Sequence, residues 1–394
     1  MTSHSPKTII VGAGIGGLAA ALALLRAGHR VRVIEQSASL GEVGAGLSIT
    51  PNASKALAYL GLADDLARIG STPVAGSLRH YRTGEDLVTL PQDRSRERYG
   101  YPLYHVHRAD LHQALLSAVT ALDVDSIVTS AEFISCKDTN DGVLVRCSSG
   151  WSDQADYVIG ADGIHSRVRA QLFGPDQANF TGYVAWRGLI PGAQVPASLL
   201  DPPLCMTLGP RRMLMRYPLR RGAWINFVAI AKRDAWMEEG WSVPSTLNEL
   251  LTEFADFEPR ALDLLSLTPS DRLFKWGLFD RDSLPSWTQG RVTLLGDAAH
   301  AMPPFTGQGA VMALEDAAVL GRAAQATTTT SAFLERYERA RIGRVTNALA
   351  MSRARAELYF GDEPAEQVKA LTAGMMELRT LYDYDAGAAN FDAL

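Results

Sequence analysis

Residues Lys7 to Glu35, KTIIVGAGIGGLAAALALLRAGHRVRVIE, decide how this chain is read. Lys7 to Val11 is a short apolar strand that runs into a glycine-rich turn. Leu18 to Leu25 reads as a buried helix ended by Gly28, and Arg30 to Ile34 is a second strand. Strand, helix and strand in this order form a βαβ unit, so a parallel, doubly wound sheet opens the protein. The turn itself, Gly12-Ala13-Gly14-Ile15-Gly16-Gly17, has G-x-G-x-x-G spacing. Gly12 permits the tight turn, Gly14 lets a pyrophosphate approach the backbone, and Gly17 lets helix and strand pack closely. The helix N-terminus after the loop offers unpaired N–H groups and a positive dipole end to phosphates. Glu35, followed by Gln36, stands where an acid accepts hydrogen bonds from an adenosine ribose. The competing reading is glycines that serve close packing alone. The motif by itself does not separate FAD from NAD.

Ile9 to Leu25 contains no charged or polar side chain, which raises a membrane span or signal peptide. Its glycines interrupt the run, the helical part beyond them is too short to span alone, and Arg26, Arg30 and Arg32 follow at once. The soluble reading is therefore preferred. With 394 residues the chain makes about two to three domains. Its 38 basic against 43 acidic residues leave no excess to draw nucleic acid or an anionic membrane. Cys136, Cys147 and Cys205 form no C-x-x-C pair and suit a reduced, cytoplasmic setting.

Later segments return to the opening architecture. Ala109 to Val119 and Ala310 to Ala324 read as helices, and Ala155 to Ile159 and Arg291 to Leu295 as short strands. Ala332 to Leu358 reads as a long helix in which the charges of Glu335 to Arg344 form a solvated face. From Tyr183 to about Phe279 the pattern changes to strand-like runs: Met213 to Pro218, Ala223 to Ile230, and Trp276 to Asp280. One helical stretch lies near Leu247 to Phe257. These runs suggest an antiparallel sheet inserted into the nucleotide domain and joined by Leu78 to Leu90. Thr327 to Thr330 reads as a loop between helices. The expected division is a discontinuous nucleotide-binding domain of residues 1–72, 105–175 and 287–360, a substrate domain of residues 73–104 and 176–286, and a C-terminal helical segment, 361–394.

Two further motifs narrow the cofactor. Gly160-Ala161-Asp162-Gly163-Ile164-His165-Ser166-Arg167-Val168-Arg169 resembles the DG motif of the single-component FAD-dependent aromatic hydroxylases, the group A flavoprotein monooxygenases. Gly296-Asp297-Ala298-Ala299-His300, followed by Pro304, Gly307, Gly309, Glu315 and Asp316, is similar to their GD motif. The motifs stand in the family's order and cover nearly the whole chain. Tyr183 to Gly188 and Tyr382 to Ala386 look most like the branch of salicylate hydroxylase, 3-hydroxybenzoate 6-hydroxylase and 6-hydroxynicotinate 3-monooxygenase. The resemblance implies an α/β fold: a Rossmann-like FAD-binding domain, an inserted, mainly antiparallel β-sheet substrate domain, and C-terminal helices. It also implies that Asp297 hydrogen-bonds the flavin ribityl chain and that Arg108 contacts FAD. Gly307, Gly309 and Ala310 then turn helix N–H groups toward the flavin pyrimidine edge, and Ala45 and Gly46 pass close to the flavin. The DG segment is implied to serve FAD and NAD(P)H binding, with Asp162 either taking part or bracing another element.

The substrate pocket departs from these relatives, which often carry a His-x-x-x-Tyr-Pro strand. Here Met213 takes the histidine's place while Tyr217 and Pro218 are kept. Residues four apart on a strand share a face, so Met213 and Tyr217 are both expected in the pocket. Phe305 and Ser48 likewise stand where relatives have histidine, which predicts a less basic, more apolar pocket. A buried tyrosine needs a hydrogen-bond partner, either a substrate oxygen or, if Tyr217 is core packing, an internal group. With an ordinary pKa of about 10 it is a poor base at neutral pH, so Tyr217 is expected to orient substrate. Pro304 is assigned with it to the catalytic set. Arg187 binds a substrate carboxylate or pairs with an internal acid. His105, His107 and His112 have no acid or cysteine beside them at ligand spacing, so no metal is expected, and they are read as structural or flavin-proximal.

The implied reaction uses NADH or NADPH as a transient donor and O2 to form a flavin C4a-hydroperoxide. This hydroxylates a small phenolic, carboxylated or N-heteroaromatic ring, with or without decarboxylation. One alternative is a flavin oxidase or dehydrogenase without oxygen transfer, and another is a redox-inactive nucleotide-binding protein. A monomer or homodimer, free of nucleic acid and of stable membrane association, is expected.

Overall fold

Lys7–Val11 lies near the middle of a six-stranded sheet whose order is Thr288–Gln289, Val292–Leu294, Tyr157–Gly160, Lys7–Val11, Arg30–Ile34 and Ile127–Val128. Every neighbouring pair is parallel except the first, a short hairpin. This computed structural model describes residues 5–41, 46–73, 75–90, 94–236, 243–326, 332–363, 366–368, 375–388 and 391. The first helix is Ile15–Arg26, and it starts earlier than expected because Gly16 and Gly17 are helical. Its alanines and Leu18, Leu22 and Leu24 are buried, as befits a helix covered by neighbours rather than one that is amphipathic. Gly309–Gln325 crosses it so closely that a Cβ on Gly321 would stand 2.8 Å from the Cβ of Ala23.

The second sheet has eight strands, in the order Val243–Pro244, Leu273–Asp280, Asn179–Pro191, Trp224–Lys232, Arg212–Leu219, Leu204–Gly209, Gly76–His80 and Asp86–Leu90. Its pairs are antiparallel except Leu204–Gly209 with Gly76–His80. Leu78 to Leu90 joins it as expected, split over the last two strands. Strand alternation gives the sheet two faces. One buries Trp186, Leu214 and Phe227 against Phe254 and Leu264 of the covering helices. Those helices are Leu247–Glu253 and Pro259–Ser266. The expected helix to Phe257 stops short at Glu253, with Phe254 as its C-cap. The other face carries Arg187, Met213, Met215 and Tyr217 and meets two pieces of the first domain. Phe305 packs at one end, and the ribbon of Gly46–Ile49 with Tyr104–His107 lies at the other.

The long helix Ala332–Tyr359 corrects one expectation. Glu335 and Arg339 are exposed, but Arg341 is fully buried and Arg344 is only 14% exposed. Glu315 and Asp316 lie inside the otherwise apolar helix Gly309–Gln325, where buried carboxylates need cations. Arg341 supplies one, with Nη1 2.7 Å from Glu315 and Nε 2.7 Å from Asp316. The Thr327 to Thr330 loop lies outside the described residues. Among those described, no helix is long and apolar enough to cross a membrane.

Candidate active site

The glycine turn is held by contacts that leave no room for side chains. Gly12 has φ +102°, and a Cβ there would lie 2.5 Å from the Ala161 carbonyl oxygen. A Cβ on Gly17 would stand 1.9 Å from the carbonyl oxygen of Gly12, whereas one on Gly14 would meet nothing within 4 Å. Backbone at Gly14 is thus open to a ligand, and Ile15 beside it is buried. His112 Nε2 donates to the Ala13 carbonyl at 2.8 Å. Glu35 accepts the Ala13 and Ser37 N–H groups, each at 2.9 Å. A carboxylate has about four lone-pair sites, so Glu35 retains acceptor capacity for a diol. Gln36 is exposed next to it.

The two turns of the GD segment share one support. Gly296, at φ +62°, precedes Asp297, which is half-buried and takes no hydrogen bond from any described residue. Asp316 accepts the Gly296 N–H at 3.1 Å and His300 Nε2–H at 2.6 Å, besides its contact with Arg341. Burial alone would raise the Asp316 carboxyl, but His300 and Arg341 hold it below the ordinary carboxylate range. Its neighbour Glu315 accepts from Asn52 Nδ2 at 2.7 Å, and Asn52 also donates to the buried Gln308 at 3.0 Å. Gln308 separates Gly307, at φ +67°, from Gly309, the first residue of the helix, with half-buried Ala310 after it. Nothing lies within 3.8 Å of a Cβ built on either glycine; the nearest atom is a Met302 carbon 3.9 Å from Gly309.

In the DG segment Asp162 caps a helix. It accepts from the Ser166 hydroxyl at 2.5 Å and from the N–H groups of Arg167 at 2.8 Å and Val168 at 3.2 Å. Burial raises its carboxyl. Buried Arg169 donates to the carbonyls of Ala298 at 3.3 Å and Ala299 at 3.1 Å, tying this segment to the GD turn. Arg108 opens the helix Arg108–Leu122 and is half-buried.

On the sheet face Tyr217 is buried, and its ring stacks on His105 at 4.2 Å between centroids. Burial pushes the Tyr217 hydroxyl well above its ordinary pKa and His105 down to about 4, so both are neutral at pH 7. Ser48 meets His105 Nδ1 at 3.1 Å. Asn226, opposite Tyr217 in the ladder, accepts the Gly46 N–H at 2.9 Å. Arg187 lies over the Trp276 ring at 4.9 Å and, with Met215, Val228 and Trp276, is half-buried. Met213 and Phe305 pack into one apolar cluster with Tyr183, Tyr359 and Phe360. Pro304 is exposed. The histidines take separate positions: His107 caps Arg108–Leu122 by accepting the Ala109 N–H at 3.3 Å. No group of three or more metal-ligating side chains gathers among the described residues. Ala45 lies outside them.

A family model described as an FAD binding domain matches residues 6–352. The 3-amino-4-hydroxybenzoate 2-monooxygenase of Streptomyces platensis is 36% identical over 372 residues, 94% of this chain and 92% of that relative. The 6-hydroxynicotinate 3-monooxygenase of Pseudomonas fluorescens is 36% identical over 325 residues, 81% of this chain and 83% of its own. This chain belongs to the FAD-dependent aromatic hydroxylases. Klebsiella pneumoniae HpxO, solved with FAD and uric acid, superposes with a TM-score of 0.87 at 28% identity, covering 97% of each chain.

As an FAD-dependent hydroxylase the chain fits its cofactor on structural grounds. Gly14 is open, Glu35 keeps spare acceptors, Asp297 has an unmet carboxylate, and Gly307 and Gly309 leave a helix start bare. Sequence reasoning missed Asn226 and the buried role of Arg341, and named His105 without its partner. Arg341 was signalled by two acids within an apolar helix, and Asn226 by being the one polar residue between Ile225 and Ala231. His105 was marked by its His-x-His spacing, but its stacking partner was not legible, because Tyr217 arrives from a distant strand.

Proposed function

We propose that this hydroxylase uses NADH or NADPH and O2 to hydroxylate a small phenolic or N-heteroaromatic substrate. The ring would lie between the GD turns and the Tyr217 face of the eight-stranded sheet. The observation that carries the reading is the half-buried strip of Arg187, Met215, Val228 and Trp276. It runs between Phe305 of the GD segment and the Tyr217–His105 stack. Apolar walls with few polar groups are what a flat aromatic ligand requires.

Gly12, Gly14, Ile15 and Gly17 would hold the pyrophosphate, and Glu35 and Gln36 the adenosine ribose. Asp297, Arg108 and the Gly307-to-Ala310 helix start would hold the flavin, with Ala45, Gly46 and Asp162 completing the set. When bound, FAD supplies the electron transfer and oxygen chemistry. Tyr217, kept protonated by burial, orients a substrate oxygen as a donor and does not act as a base. His105, held neutral, packs the far side of that ring. Arg187 over Trp276 offers a cation to a ring carboxylate, the group carried by the substrates named for both curated relatives. Met213 and Phe305 close the opposite wall and exclude water. The division into residues 1–72, 105–175 and 287–360 against 73–104 and 176–286 is supported by the separate sheets on which these groups sit.

The test is NADH and NADPH oxidation by the FAD-loaded protein with salicylate, 3-hydroxybenzoate, 4-hydroxybenzoate, 6-hydroxynicotinate and uncarboxylated phenols, recording product mass and peroxide. A compound that speeds oxidation and gains one oxygen is the expected result. Peroxide without oxygenated product across the whole panel would replace this reading with that of an oxidase.

A further inference from the structure

Asn226 is fully buried on the strand Trp224–Lys232, with apolar residues on either side of it in sequence. A backbone N–H must meet an oxygen, so the Gly46 N–H, 2.9 Å from the side chain, fixes which end of the amide is Oδ1. The other end, Nδ2, donates to no partner among the described residues. Tyr217 stands directly across the ladder on the same face, and no described residue hydrogen-bonds its hydroxyl. The two converge: a Cβ on Gly46 would lie 2.5 Å from Tyr217 Oη and 2.9 Å from Asn226 Cγ. His105 Nε2, in the ring stacked on Tyr217, is also buried without a partner. Such groups are costly to bury unmet. A pin for Gly46 alone would require only the oxygen of Asn226.

We infer that Asn226 is a second substrate-recognising donor beside Tyr217, so that a phenolic substrate is bound through its ring oxygen, as an oxyanion, by two neutral donors. This rests on the hydroxylase reading above. Tyr217 Oη and the Asn226 carboxamide both lie against Gly46, so an O–H and an N–H stand side by side on one face, and an ionised oxygen strengthens hydrogen bonds from both. A methyl ether of the same ring accepts them weakly and adds bulk where Gly46 allows none.

The experiment measures binding of 3-hydroxybenzoate and 3-methoxybenzoate to the FAD-loaded protein through the flavin absorbance, in the unsubstituted chain, Asn226→Asp and Asn226→Leu. Asn226→Asp keeps an oxygen for the Gly46 N–H while removing the donor, and Asn226→Leu removes both. The unsubstituted protein should favour the hydroxy compound on the order of tenfold, and that preference should collapse in both variants while FAD stays bound. A purely structural asparagine, or one serving an ordered water only, would leave the preference unchanged, and that result overturns the inference. Should the variants lose FAD, 4-nitrophenol titrated into the unsubstituted protein still decides the matter. Its bound form should ionise at lower pH than in solution, and an unshifted or raised ionisation overturns the inference. If no aromatic probe perturbs the flavin of the unsubstituted protein, the hydroxylase reading itself fails, an outcome distinct from an unchanged preference.

Discussion

On the cofactor side of the site, the carboxylates of Glu315 and Asp316 are met by Arg341, Arg344, His300, Asn52 and the Gly296 N–H, all within the protein. On the sheet side, Asn226 and His105 bury polar atoms that no described residue meets, beside the Tyr217 ring. The first arrangement is complete as folded and holds two turns in place. The second spends stability on groups whose use lies outside the chain. Disturbing the first should therefore be felt as lost folding energy, and disturbing the second as lost recognition.

The sharpest break is Arg341→Met, which leaves two buried carboxylates without their shared guanidinium. A loss of about 3–5 kcal/mol is expected from urea unfolding, together with weaker FAD retention. A loss below about 1 kcal/mol would mean that the charge net does not hold the turns. His105 comes next, through pH. Its folded pKa of about 4 lies below the ordinary value of about 6.5. The unfolded chain therefore takes up a proton first, and stability present above pH 6.5 is lost as pH falls toward 4. For this residue the loss is about 3 kcal/mol. His105→Gln should flatten that part of the stability profile, and His29, also held at about 4, should keep a similar decline of its own. An unaltered slope would show that His105 titrates normally.

Gly17→Ala drives a methyl into the Gly12 carbonyl and should cost about 1–3 kcal/mol, read as a lower melting temperature and a lower flavin-to-protein absorbance ratio. The smallest stability change belongs to Tyr217→Phe. Removing a hydroxyl that bonds no described residue should move stability by less than about 1 kcal/mol, yet worsen turnover or KM by about tenfold with FAD still bound. Normal kinetics would remove Tyr217 from the site, and a large stability loss would erase the contrast between the two sides.

Local spacing explains what could be read in advance. The βαβ opening, the turn at Gly12 and the long terminal helix depend on neighbours in sequence, so their patterns survive in one dimension. Arg341 did not, because charges repeating along Glu335 to Arg344 look alike whether they face water or acids on another helix. Tyr217 was legible as a pocket residue from its strand position. Its stacking on His105 and its meeting with Asn226 at Gly46 were not, since three separate chain segments converge there. Met213 and Phe305, read separately as replacements for histidines, turn out to touch the same aromatic cluster.

The order of the strands has a consequence for synthesis. Lys7–Val11 pairs with Tyr157–Gly160, which in turn pairs with Val292–Leu294, while Gly76–His80 waits for Leu204–Gly209. The glycine turn is made well before the helix opening at Gly309 and the Arg341 that supports it. Neither sheet can be finished as a contiguous piece, so the nascent protein must carry unpaired apolar strands until their distant partners are made. FAD capture would then await a late and cooperative closing of both sheets.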